Sequence, residues 1–118
     1  METKSVIEYL SIQFALRIIK LYKYLTEEKK EHVMAKQVYR CGTSIGANVA
    51  ESKGSQSDAD FISKLSIALK EAFETQYWLM LLHESETIDD ASYQSIDNDI
   101  KIIIGTLTNI IKKKKGLG

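Results

Sequence analysis

Proline is absent from the 118-residue sequence, and only six glycines occur. Without the two residues that most often break helices or build turns, a loop-rich or hairpin-rich fold and a disordered linker are both excluded. A single cysteine, Cys41, rules out an internal disulfide. Cys41 sits within an apolar stretch and reads as a small buried hydrophobe in a reducing compartment. There are two histidines, His32 and His83, so a multi-histidine metal centre lacks its ligands. Long hydrophobic runs are missing as well. The first 25 residues carry Glu2, Lys4, Glu8, Arg17, Lys20 and Lys23, too many charges for a signal peptide or a membrane span. A cytoplasmic protein with no membrane partner is the expectation.

What remains is 44% apolar residues arranged with helical periodicity. Ile7, Leu10, Phe14, Ile18, Leu21 and Leu25 recur every three or four residues and so share one helical face. A second stripe runs through Met34, Val38, Cys41, Ile45 and Val49. The third takes Phe61, Leu65, Ala68, Ala72, Thr75, Leu79 and Leu82, widened by Ile62, Leu69, Phe73 and Met80. The fourth takes Tyr93, Ile96, Ile100, Ile103, Leu107 and Ile110. Polar connections separate the stripes. Ser57, with Asp60 three residues on, suits a capping box, and Asp89 or Asp90 can cap the last helix. These signals predict helices over about 2–25, 33–53, 57–84 and 89–114. Together they make an all-α, up-down-up-down four-helix bundle in one domain. Tyr9, Ile12, Tyr22, Tyr77 and Trp78 on helices 1 and 3 exceed what such a core can absorb, and this surplus predicts self-association.

Net charge is zero but unevenly spread. Lys and Arg outnumber Asp and Glu nine to six in residues 1–56, fall to three against ten in 57–111, and are four against none in 112–118. That asymmetry allows a local basic surface without the global charge of a dedicated nucleic-acid-binding domain. Lys36, Arg40, Lys53 and the tail lysines Lys112, Lys113, Lys114 and Lys115 are the candidates for gripping phosphates. The tail lysines also suit the negative end of a helix dipole.

"GTSIG", residues 42–46, fits the G-x-S-x-G pattern of a hydrolase nucleophile elbow with Ser44 as nucleophile. That chemistry needs a strand before the serine and a histidine beside it, and the surrounding sequence is helix-periodic. Gly42, Gly46 and Ala50 instead place three small residues along one helix face, where a neighbouring helix can approach closely. No cofactor, metal, catalytic residue or small-molecule substrate is predicted. Arg40, Ser44, Asn48 and Glu51 form a polar stripe beside the apolar one, and Arg17 interrupts the apolar face of helix 1. A buried or half-buried ion network fixing helix register or subunit contacts is the reading of these polar positions.

The stretch "KQVYRCGTSIGANVAESKGSQSDADFISKLSIALKEAFETQYWLMLLHES" resembles the four-helix bundle proteins encoded in intervening sequences of bacterial 23S ribosomal RNA genes. The "RCGTSIGANVAE" core followed by "DFISKLSIALKEAFETQYWL" carries the resemblance, which extends over essentially the whole chain. It implies a ring-like homopentamer without known enzymatic activity, serving as a scaffold or accessory factor. Similar bundles, the accessory variability determinant proteins of diversity-generating retroelements, bind nucleic acid and a reverse transcriptase through a basic assembled surface. The neutral charge here departs from that subgroup and argues against strong nucleic-acid binding. Family members often carry proline where this chain has Gly46, which implies a bend in helix 2 there.

Overall fold

The computed structural model describes residues 3–116, with side chains described from Val6 onward. Four helices account for nearly all of it: α1 (Thr3–Glu27), α2 (Val33–Ser52), α3 (Asp58–Glu84) and α4 (Asp90–Lys114). No strand occurs among the described residues. The expected start of helix 1 at Glu2 lies outside them. The particle measures 44 × 23 × 22 Å. Its long dimension is close to the roughly 40 Å spanned by about 25 residues rising 1.5 Å each. Each helix packs against two neighbours, in the cycle α1–α2–α3–α4–α1, and among the described residues the backbones of the diagonal pairs do not approach closely. Up-down-up-down order follows from that cycle and the short connections.

Local chemistry sets the helix ends. Ser57 Oγ accepts the Asp60 N–H at 3.0 Å, and Asp60 Oδ2 accepts the N–H of Gln56 at 3.3 Å. The reciprocal bond thus falls on Gln56, one residue before the cap, and not on the N–H of Ser57 itself. Asp89, and not Asp90, caps α4 by accepting the Ser92 N–H at 2.7 Å. That bond from backbone to carboxylate holds the Asp89 carboxyl below its ordinary pKa. At α2, Glu31 supplies what His32 does not, its carboxylate accepting the N–H groups of Val33 and Met34 at 3.2 and 2.5 Å. Helix 1 runs through Glu27, taking in two residues of the expected turn, with Thr26 Oγ1 donating to the Tyr22 carbonyl at 2.9 Å.

The core is one continuous cluster. Phe14, Ile18, Val38, Ile45, Leu65, Leu79, Ile100 and Leu107 are among its fully buried members. Leu10, Leu21, Tyr22, Met34, Phe61, Trp78 and Tyr93 pack against it but are only partly covered. Tyr22 and Trp78, expected as surplus aromatics, are therefore absorbed. Buried Ser11, Ser52 and Thr75 each donate to a backbone carbonyl three or four residues earlier, so none leaves an open hydroxyl in the core. The one non-sequential closure of the ring, α1 to α4, is joined by Arg17 to Asp99 at 2.7 Å. Arg17 interrupts its apolar face to make that link.

Candidate functional site

The opening motif lies in the middle of α2, where hydrogen-bonded helix runs through Gly42 and Gly46 without a break. Ser44 Oγ donates to the Arg40 carbonyl at 2.6 Å, and Asn48 Nδ2 donates to the Ser44 carbonyl at 2.9 Å. His32 stands twelve residues away on the chain, about 18 Å along the helix axis. His83, on α3, is stacked on Tyr93 with ring centroids 4.2 Å apart and bonded to Asp90 at 2.6 Å. Neither imidazole is placed to take a proton from Ser44, and the preceding strand of an elbow is replaced by helix. Cys41, one residue before Gly42, is wholly buried, and burial pushes its thiol up from the ordinary value, away from reactive thiolate.

The glycines face α1. A Cβ built on Gly42 would lie 2.7 Å from Ile18 Cγ1, and one on Gly46 would lie 3.4 Å from the Ser11 carbonyl oxygen. Ala50, placed with them by spacing, is exposed and takes no part in this approach. It sits at a wider angle around the helix than Gly42 and Gly46, because a spacing of four drifts about 40° each time.

The polar stripe of α2 turns toward α3. Arg40 pairs with Glu71 at 3.3 Å, with Glu74 and with Gln37, while Glu51 pairs with Lys64 at 2.9 Å. The Arg40 side chain is half exposed, so this network is a surface clamp on the α2–α3 seam and not a buried one. Ser44 and Asn48 stay within their own helix and join no ion pair.

The candidate phosphate-gripping residues divide into two groups. Lys53, Lys113 and Lys114 line one cleft at the N-terminal end of α3, together with Ser55, Ser57 and Phe61. Carboxylates already engage two of these lysines, Lys53 meeting Glu8 at 2.8 Å and Lys114 meeting Asp58 at 3.2 Å. Lys112 and Lys115 are exposed on the same end of the bundle. Lys36 and Arg40 belong to the other half of α2. Seventeen residues separate Lys36 from Lys53, about 25 Å of helix, so the basic positions do not form one surface on a single chain.

The outer faces supply the larger feature. Leu16 is about 200° of helical rotation from both Phe14 and Ile18, and therefore points away from the core. With Tyr9 and Ile12 it forms an apolar ridge along the outside of α1. On the diagonal helix α3, Phe73, Tyr77 and Met80 are likewise turned outward, and the six residues are between 39% and 61% exposed. The outer faces of α2 and α4 are more mixed, with Val33 and Tyr39 exposed among Lys36, Arg40, Ala47 and Glu51 on one and Ile102 among Gln94, Asn98, Lys101 and Asn109 on the other. Of the expected surplus, Tyr9, Ile12 and Tyr77 lie on the α1 and α3 stripes, whereas Phe73 and Met80, expected to widen the core face of helix 3, are turned outward because each stands about 100° round the helix from buried Ala72 and Leu79. The periodicity also hid Asp97, a carboxylate on the buried side of α4 whose charge is met by Lys101 at 2.9 Å.

A family model described as 23S rRNA-intervening sequence protein matches residues 4–109. Among solved structures, a protein of unknown function from the S23 ribosomal protein family of Bacteroides thetaiotaomicron is 53% identical. The match covers 94% of this chain and 99% of that one, with a TM-score of 0.93. No curated protein matches.

Proposed function

We propose that this chain, which belongs to the 23S rRNA-intervening sequence protein family, is a non-enzymatic four-helix scaffold that works in the cytoplasm as a homo-oligomer. The supporting observation is the pair of outward apolar stripes on α1 and α3, left over after the core is filled. Contiguous apolar surface of this kind marks an interaction site, and exposing it on a free monomer is costly. No helix among the described residues is long and apolar enough to cross a membrane. Light scattering after gel filtration is expected to give a mass of several 13.4 kDa chains, five of them if the resemblance to pentameric bundles holds. A stable monomer at about 10 μM, ten times a micromolar Kd, would overturn the proposal.

A second reading, electrostatic contact with nucleic acid, is favoured by the cleft that gathers Lys53, Lys113 and Lys114 at the positive end of the α3 dipole. Glu8 and Asp58 already compensate two of the three charges. Binding of single-stranded RNA is accordingly expected to be weak, with a log–log salt slope of about −2 or shallower for two or three neutralised phosphates. Salt-insensitive or sequence-specific binding in a fluorescence titration at two salt concentrations would contradict that reading.

A further inference from the structure

We infer that the cleft between the C-terminal half of α1 and the start of α4 binds a small monocarboxylate with an aliphatic body, its carboxylate held by Arg17 and Lys20. The cleft lies within one chain, so the inference stands apart from the self-assembly proposed above.

Packing makes the space. Of the four seams in the bundle, the one between α1 and α4 is the most loosely packed. Arg17 meets Asp99 across it at 2.7 Å. Because the two helices run antiparallel, seven residues on from Arg17 and seven back from Asp99 lead to Tyr24 and Ser92, which line the far end of the cleft about 10 Å away. Leu21 and Ile96 lie between these ends and belong to the core, as does Ile88 of the α3–α4 turn, so the floor is aliphatic. Ser92 is too small to reach across to α1, and the seam stays open above that floor. The resulting cleft of about 410 Å³ falls within the roughly 300–1,000 Å³ usual for small-molecule sites.

Charge selects the ligand. Lys20 is exposed and in no ion pair among the described residues. Arg17 gives one nitrogen to Asp99, and its other guanidinium N–H groups make no hydrogen bond among the described residues. Both cations stand toward the same end. The two carboxylates at the cleft are already engaged, Asp99 by Arg17 and Asp89 by the Ser92 N–H at 2.7 Å. Asp89 makes the far end negative, so an anionic group fits only beside Arg17 and Lys20. A ligand with one carboxylate and an apolar remainder matches that gradient, the head taking charge-assisted hydrogen bonds and the body covering Leu21, Ile88 and Ile96. A second carboxylate at the other end of the ligand would be repelled by Asp89.

Decanoate is the probe, titrated into the full chain and followed by amide NMR shifts. Saturable shifts are expected at Leu21, Ile88, Ser92 and Ile96, with a Kd on the order of 0.1–1 mM for so small a ligand. Lys20→Glu, which reverses the free charge, and Ser92→Leu, which fills the space, should each weaken binding about tenfold. Both positions are exposed, so wild-type helical circular dichroism is expected of each. Lys20→Met and Ser92→Met replace either one that loses it. Decanol lacks the charge and decanedioate carries a second one, and each should bind about tenfold more weakly than decanoate. The assignment is wrong if decanol or decanedioate matches decanoate, or if either folded variant binds as wild type does. It is equally wrong if the shifts gather on Tyr9, Ile12, Phe73 and Tyr77, or if none saturates up to about 10 mM.

Discussion

Replacing Phe14 with alanine is expected to lower the stability of the fold by about 3–5 kcal/mol, the range for truncating a buried phenylalanine. Phe14 is the largest side chain wholly enclosed by the bundle, with 2% of its surface exposed. It lies mid-helix, where α1 faces the centre of the cluster, so neighbouring helices cannot close on the void without moving backbone. Small domains hold only about 5–15 kcal/mol in total. The loss should lower Tm by roughly 10–20 °C. Because the cavity lies inside one chain, the change in chemical denaturation should keep its size when protein concentration is varied tenfold. A loss under about 1 kcal/mol would mean that α1 is not seated on the core through this residue.

Much of the architecture was legible because burial imposes a 3.6-residue period, and the third stripe shows how far that reaches. Leu65, Ala68, Ala72, Thr75, Leu79 and Leu82 are all buried as their spacing required. The period fixes direction but not depth. Leu10 and Leu21 share the stripe of Phe14 and Ile18 yet lie toward its edges, and remain partly exposed. Helix ends were readable where a short side chain marks a cap, as at Ser57 and Asp89. The stop signals were harder to see, because the turns after α1 and α3 place Lys30 and Glu86 at positive φ, positions where glycine is the usual marker. Glu31 was hidden as a cap because its carboxylate reaches forward from before the helix. In the candidate site, spacing put Arg40 and Glu51 on one stripe but could not say what faces it. Their partners Glu71, Glu74 and Lys64 come from α3, and a partner across a helix seam has no fixed offset in sequence. Charge counts had the same weakness, treating Lys36 and Lys53 alike although they stand on different halves of α2.

Gly42 and Gly46 look equivalent in "GTSIG", yet alanine is expected to destabilise at the first and to be neutral or stabilising at the second. At Gly42 a new Cβ would sit 2.7 Å from Ile18 Cγ1 and 3.1 Å from two further Ile18 carbons. Ile18 is wholly buried and branched at Cβ, so it has no free rotamer into which to retreat. Overpacking of this kind costs about 1–3 kcal/mol, which outweighs the gain of at most about 1 kcal/mol from replacing glycine in a helix. Gly42→Ala should therefore destabilise, and Gly42→Leu should reach the top of that range by forcing α1 away from α2. At Gly46 the nearest atom to a new Cβ is the Ser11 carbonyl oxygen at 3.4 Å, an ordinary contact. Gly46→Ala should then be neutral or stabilise by up to about 1 kcal/mol. A leucine there would meet the α1 backbone, which cannot swing aside. Ser44→Ala, between the two, gives up a bond to its own helix worth roughly 0.5–1.5 kcal/mol at most. Chemical denaturation of the five variants and wild type orders them directly. If Gly42→Ala matched or exceeded wild type while Gly46→Ala fell well below it, the close approach of α1 would lie one turn further along α2 than Ile18 places it.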